Sequence, residues 1–267
     1  MPCRLVQSAS FAALLALAGA VAADSPPVLG LAYSADMGAN IVGAGTFAGR
    51  RQYVIDHLDG LRAATSIEGL PERADLRDFQ LDADGAVLFS LDVGATLGGT
   101  YFRPADVVRL KAGAYSKAFD AEAAGVPLGV RCDGVARSGT NGSLLLSFDR
   151  TFAAFDNTFR PADVIAITQA GMFGVKVLDA AALDLPRTLN VDAVDSIGGT
   201  THLLLSFDTG GKIGDTTFAD EDILELTLAT SELTVRFPLL ASSDRWAAAD
   251  LDGLATIGDG VFRDSFE

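Results

Sequence analysis

The string Leu-Leu-Leu-Ser-Phe-Asp occurs twice in this chain of 267 residues, at 144–149 and again at 203–208. A degenerate copy runs from Val87 to Asp92, and a weaker one ends at Ser34-Ala35-Asp36. The Asp-to-Asp intervals are 56, 57 and 59 residues. A steady period of this size signals a repeat architecture, in which each unit buries its apolar face only against its neighbours. Folds built on one isolated core are therefore disfavoured from the outset.

Aligned on Ser-x-Asp, the units read as strands. Short apolar runs such as Leu144–Leu146 and Leu203–Leu205 suit strands covered on both faces. Polar, Gly-rich loops follow, at Val93–Thr100 and Thr209–Thr217. An aromatic then recurs (Phe47, Phe102, Phe159, Phe218) and reads as a core plug. Four residues on comes Arg51 in the first unit and an acid in the others: Asp106, Asp163 and Asp222. Each opens another strand, for example Val107–Leu110 or Val164–Ile167. Alternating segments follow at Phe173, Val175, Val177 and at Leu233, Val235, Phe237. A proline commonly ends this region: Pro71, Pro127, Pro186 and Pro238. Segments such as Leu76–Leu81 and Leu189–Val194 lead back to the next Ser-x-Asp strand. No long helical pattern stands anywhere beyond the N-terminal apolar run; Ala180–Leu183 is too short for one.

About four strands per unit and four units predict an all-β fold, a four-bladed β-propeller. The units fall near 28–75, 76–127, 128–186 and 187–248. The first lacks the strand that precedes Ser-x-Asp in the others. The stretch 249–257 looks like that missing strand, so the closing segment 249–267 is expected to pair with the first unit and leave no open sheet edge. The alternative is a tandem row of β-sandwich repeats.

At Ser-x-Asp the chain resembles the Asp-box, Ser-x-Asp-x-Gly-x-Thr-Trp. Ser90-Leu-Asp92-Val-Gly94-Ala-Thr96 carries the fullest match, with Leu97 in place of Trp. Ser206-Phe-Asp208-Thr-Gly210 and Ser34-Ala-Asp36-Met-Gly38 match the first half, and Ser147-Phe-Asp149 loses the Gly at Thr151. Asp-boxes recur in sialidase-like and other propellers, where they stabilise a hairpin turn. The resemblance implies a structural turn role for Ser34, Asp36, Ser90, Asp92, Ser147, Asp149, Ser206 and Asp208. The whole unit is also similar to tandem repeats of uncharacterised secreted bacterial proteins, a resemblance that implies no activity.

Residues 1–23 read as a signal peptide: Arg4, the apolar run Phe11–Ala23, and a Val21-Ala22-Ala23 cleavage site. A secreted or periplasmic protein is expected, without membrane insertion after cleavage. The formal net charge is −15, which argues against nucleic acid as a partner. A protein or glycan partner fits better. Removal of the signal takes Cys3 and leaves Cys132 as the one thiol, so no internal disulfide is expected. Cys132 continues the alternation Leu128, Val130, and reads as a core position.

Catalytic signals are sparse. His57 and His202 are the only histidines, and neither stands in a recognisable triad or zinc motif. Tyr33, Tyr53, Tyr101 and Tyr115 come with no Arg motif of a sialidase kind. Asp82-Ala-Asp84-Gly85 begins like a calcium loop and stops short of one. Three pairs of acids bracket equivalent loops: Asp92 with Asp106, Asp149 with Asp163, Asp208 with Asp222. They are candidate calcium ligands, the alternative being that each acid caps its own turn. Asp220-Glu221-Asp222 and Asp250-Leu-Asp252 read as surface acids. Arg103 and Arg160 occupy matching positions and are expected to pair with nearby acids. Trp246 is a candidate sugar-stacking residue or a core filler. The tail 261–267 resembles short tails of other exported bacterial proteins. The expected function is a non-catalytic binding or scaffold module. The alternatives are a calcium-stabilised structural surface protein and a propeller-type glycoside hydrolase or lyase.

Overall fold

The computed structural model describes residues 28, 30–34, 39–41, 45–47, 51–57, 61–237 and 251–257. Residues 1–23, Asp36, Trp246, Asp250 and the tail lie outside these. Within them the chain forms strands and turns and no α-helix. In chain order the first unit holds β1 (Gly30–Ser34), β2 (Ala39–Ile41), β3 (Gly45–Phe47), β4 (Gln52–His57) and β5 (Leu61–Ser66). The second holds β6 (Leu76–Leu81), β7 (Val87–Leu91), β8 (Ala95–Leu97), β9 (Thr100–Phe102), β10 (Val107–Lys111) and β11 (Ala114–Phe119). The third holds β12 (Cys132–Arg137), β13 (Leu144–Phe148), β14 (Phe152–Ala154), β15 (Asn157–Phe159), β16 (Val164–Ile167) and β17 (Phe173–Leu178). The fourth holds β18 (Val191–Ile197), β19 (His202–Phe207), β20 (Gly211–Ile213), β21 (Thr216–Phe218), β22 (Ile223–Thr227) and β23 (Glu232–Phe237). Last comes β24 (Gly253–Ile257).

These strands form four antiparallel four-stranded sheets, ordered β24-β1-β4-β5, β6-β7-β10-β11, β12-β13-β16-β17 and β18-β19-β22-β23. They are the blades of a four-bladed propeller. The innermost strands β6, β12, β18 and β24 pack against one another around the axis. The ring closes as the sequence predicts: β24 pairs antiparallel with β1, from Gly30 opposite Ile257 to Ser34 opposite Gly253. The first blade thus takes its inner strand from the end of the chain.

The continuous apolar runs make sense in this arrangement. β13 is buried along its whole length because a blade meets a neighbour on each face. Four apolar clusters fill the four seams. Tyr53 and Ile55 of blade 1 meet Phe79 and Phe89 of blade 2. Phe119 and Val107 meet Phe148 and Leu146. Leu145 and Val164 meet Val194 and Phe207. Leu204 and Ile223 meet Leu31, Tyr33 and Val54, a seam that exists only because the ring is closed. Each such side chain contributes roughly 1.5–3 kcal/mol by leaving water.

Two local readings need correction. The Gly-rich loops after Ser-x-Asp are small hairpins, β8–β9, β14–β15 and β20–β21, with a fourth at β2–β3. Their three-residue strands are too short to show alternation. They are anchored by Phe102, Phe159 and Phe218, all buried as core plugs. The alternation through Leu128 does not begin a strand either. Strand β12 starts at Cys132, which is buried, whereas Leu128 stands 87% exposed in the preceding connection. Pro127 and Gly129 hold that connection in a turn, with Gly129 at positive φ.

Candidate functional site at the channel mouth

Three inner strands share a defect. Pairing with the next strand slips by one residue between Leu76 and Phe79, between Cys132 and Gly134, and between Val191 and Ala193. A bulge of this kind re-aims side chains that a regular strand would pair. It falls where the chain enters the channel, on the face that carries the hairpins.

The position just inside the bulge holds Asp78 in blade 2, and Gly134, Ala193 and Gly253 in the other blades. The small residues are required by their neighbours. A Cβ at Gly134 would run into the Ser147 hydroxyl and Val194, and one at Gly253 into the Ser34 hydroxyl and Phe79. Asp78 is fully buried. Its Oδ1 accepts the N–H of Phe79 at 2.8 Å and of Leu254 at 2.9 Å. Its Oδ2 accepts the N–H of Val135 at 2.6 Å and of Val194 at 3.1 Å. Those four amides come from the four inner strands, one per blade. Converging N–H groups make an anion-binding concavity, and one carboxylate with two oxygens satisfies all four. Burial pushes the Asp78 carboxyl well above its ordinary range, and the four N–H bonds pull the other way.

One residue earlier, at the mouth, stand Arg77, Asp133, Asp192 and Asp252. Arg77 Nε lies 3.0 Å from Asp133 Oδ1, and its Nη1 lies 3.8 Å from Asp252 Oδ1. Asn190 donates from Nδ2 to Asp133 Oδ2 at 2.8 Å and to Asp192 Oδ1 at 3.0 Å. A single guanidinium therefore sits among three inner-strand carboxylates. Burial raises the Asp133 carboxyl, against the charge of Arg77. Deeper in the channel, Asp195 Oδ2 accepts both the N–H and the hydroxyl of Thr256 at 2.6 Å, and its Oδ1 accepts the Ser196 N–H at 2.7 Å. Burial lifts Asp195 to about 6.

The Ser-x-Asp residues surround this mouth. Asp92 Oδ1 accepts the Asp75 N–H at 2.7 Å, and the Asp92 N–H returns a bond to Asp75 O at 3.0 Å. Asp149 does the same with Arg131, at 2.8 and 3.1 Å, and Asp208 with Asn190, at 3.1 and 3.1 Å. Each clasp fixes the entry of an inner strand. The serines reach further. Ser147 Oγ donates to Val191 O at 3.1 Å and Ser206 Oγ to Leu251 O at 3.2 Å, each on the next blade.

The other acids of the three pairs lie at the corners where β10, β16 and β22 begin. Asp106 and Asp163 are fully buried, and each carboxylate accepts two backbone N–H groups and one lysine ammonium. Among the described residues no three His, Cys, Asp or Glu side chains gather as a metal set. Asp82 pairs with Arg137 at 2.9 Å, and Asp84 with Arg109 at 2.5 Å and Lys111 at 2.7 Å. The Lys111 and Ala86 hydrogen bonds hold the Asp84 carboxyl down at about 2. Among the described residues Arg103 pairs with no acid; it donates to the carbonyls of Val126 and Pro127, both at 3.1 Å. Glu221, Asp222 and Asp252 are buried, not surface acids. His202 is buried between Thr201, at 2.9 Å, and Glu225, at 3.7 Å.

Sequence reading missed Arg77, Asp78, Asp133 and Asp192. A signal was present. Asp133-Gly-Val, Asp192-Ala-Val and Asp252-Gly-Leu share the pattern acid, small, apolar, and Arg77-Asp78-Phe79 breaks it at the position where only one side chain fits.

No model of a known protein family matches the chain, and no curated protein matches it. Among solved structures, it is similar to a protein of unknown function from Bacteroides caccae (12% identity, 78% of this chain and 57% of that one, TM-score 0.32). It is similar also to virginiamycin B lyase from Staphylococcus aureus (13% identity, 79% and 57%, TM-score 0.33). A third is the nidogen/laminin complex (12% identity, 84% and 84%, TM-score 0.39). The chain thus spans 57% of the length of the first two.

Proposed function

We propose that the protein is an exported, non-catalytic binding or scaffold module that meets its partner, a protein or a glycan, on the hairpin face of blades 2 and 3. The observation that carries this reading is where apolar surface stands out. Four large apolar side chains are exposed among the described residues, and three of them, Tyr101, Leu128 and Phe155, belong to hairpins or connections of that one face. Grouped exposed apolar side chains on a loop face mark contact sites. The hairpins share their buried Phe anchors and differ at their tips: Gly98-Gly99 in blade 2, Phe155-Asp156 in blade 3, Gly214-Asp215 in blade 4. A fixed frame with variable tips is how loop faces acquire specificity.

A hydrolase or lyase has less in its favour. The acids at the mouth are engaged by Arg77 and Asn190, and the clasp acids by backbone amides, so neither group stands ready to transfer protons to a substrate.

The test is a screen of glycans and peptides against the protein and against a Leu128→Ser/Phe155→Ser double variant. Ligands of the wild type should bind the variant at least tenfold more weakly, with the thermal midpoint unchanged. Equal binding by both would place the site elsewhere.

A further inference from the structure

The seam between blades 2 and 3 and the seam between blades 3 and 4 are built from equivalent residues, 59 or 60 apart in sequence. The first seam is packed with aromatic rings. Phe119, Phe148, Phe152, Phe159 and Phe173 form one cluster, with touching rings 4.7 to 6.3 Å apart between centroids. Strand register and hairpin pairing place Leu178, Phe207, Gly211, Phe218 and Leu233 at the same positions of the second seam. Three of the five rings are absent there.

One of the three places has closed. Phe152 stands 5.2 Å from Phe148 and 5.2 Å from Phe159, whereas Phe207 and Phe218 meet each other directly at 5.4 Å. A Cβ at Gly211 would already lie 3.4 Å from the Phe218 ring. The places of Phe119 and Phe173 stay partly open, because leucine is shorter than phenylalanine on both walls. Ile213 and Leu183, where the sister seam has Ala154 and Ala124, refill some of the volume. An apolar hollow of about 70 Å³ remains, walled by Leu178, Leu205, Phe207, Leu226 and Leu233, with Ile213 at its rim. Ile213 and Leu233 are half-exposed, so the hollow is reached from solvent. A second hollow of about 180 Å³ adjoins it at Leu178, Leu183 and Leu226, and brings in Lys176, Asp179 and Ser231. The Lys176 ammonium is already held by Asp163 at 2.8 Å and Asp179 at 3.8 Å.

We propose that this pocket binds a small molecule made of one aromatic ring and a short, uncharged polar arm. The ring enters the apolar hollow against Phe207, where the sister seam seats the phenyl group of Phe173 at 6.0 Å from Phe148. Walls of leucine and phenylalanine offer water no hydrogen bonds, so an apolar guest is favoured over solvent, and aromatic rings gain further from offset or edge contacts. The arm lies in the adjoining hollow beside the Ser231 hydroxyl. Two carboxylates already neutralise Lys176, so the arm is an alcohol or amide and not an acid. Both hollows fall below the ~300 Å³ of a pocket for a drug-sized ligand, which limits the guest to a single ring. The pocket lies apart from Tyr101, Leu128 and Phe155, and stands whether or not those residues meet a partner.

Titration of the full chain with benzyl alcohol, followed by methyl NMR of its leucines, tests this. Saturable shifts are expected at the methyl groups of Leu178, Leu226 and Leu233, and n-hexanol should bind several-fold more weakly. Leu233→Phe rebuilds the ring of the sister seam. It should abolish the shifts at Leu178 and Leu226, and leave the thermal midpoint without ligand unchanged or higher. Ile213→Phe narrows the rim from another strand, and should weaken benzyl alcohol at least tenfold in a protein that still unfolds cooperatively. No saturation up to the solubility limit of benzyl alcohol, equal or tighter binding of n-hexanol, shifts spread evenly over the other seams, or a site that survives both substitutions would overturn the assignment.

Discussion

At the scale of single residues, the molecule is unusual in placing carboxyls where water cannot reach them. Asp195 shows the consequence. An unfolded Asp titrates near 3.9, and in the folded ring Asp195 titrates at about 6. Between those values the folded state keeps a proton that the unfolded state has lost. Stability therefore falls as pH rises through this window, and levels off above it at a lower value. Glu221, raised to about 7, acts in the same sense. Asp84, held at about 2, acts in the opposite sense and only below pH 4. The thermal midpoint should accordingly peak near pH 4 and fall toward neutrality. Asp195→Asn should flatten the fall between about pH 4 and 6. A midpoint that rises steadily from pH 4 to 7 would contradict this.

At the scale of elements, the inner strands are held by a device no single blade contains. The bulges bring four backbone amides to the axis, and Asp78 accepts all of them. Asp78→Ala should cost more than about 3 kcal/mol, since several buried amides lose their acceptor at once. Ser147→Ala, which removes one seam bond, should cost about 1 kcal/mol. Urea unfolding of the two variants measures the difference, and equal costs would deny Asp78 its special place. The strands themselves were legible in the sequence, because a strand covered on both faces is written as an unbroken apolar run such as Leu144–Leu146. The hairpins were not, because three residues cannot display a period of two. Nor was the axial cluster. Arg77, Asp133 and Asp192 lie 56 and 59 residues apart in sequence, and only closure brings them together. Asp222 was picked out as a possible cation ligand from its spacing.

At the scale of the whole molecule, each blade stands on two neighbours, and the apolar seam between blades 4 and 1 depends on the last strand returning to the first. Period alone left a tandem row of sandwiches open; the pairing of β1 with β24 closes the ring. A closed ring also gives a reason for the single axial carboxylate: four identical acids could not share one axis, so the repeat had to become asymmetric at that place. The most direct test of closure is a cross-link between the ends. Ala32 lies opposite Ala255, both fully buried, and directly opposed residues of antiparallel strands stand at a separation a disulfide accepts. Ala32→Cys/Ala255→Cys under mild oxidation should give one intramolecular disulfide, found by mass spectrometry of the linked peptides. It should also raise the midpoint, since a loop of nearly the whole chain is worth about 5 kcal/mol in chain entropy. Free thiols at both positions, or linkage only between molecules, would contradict the closed four-bladed ring.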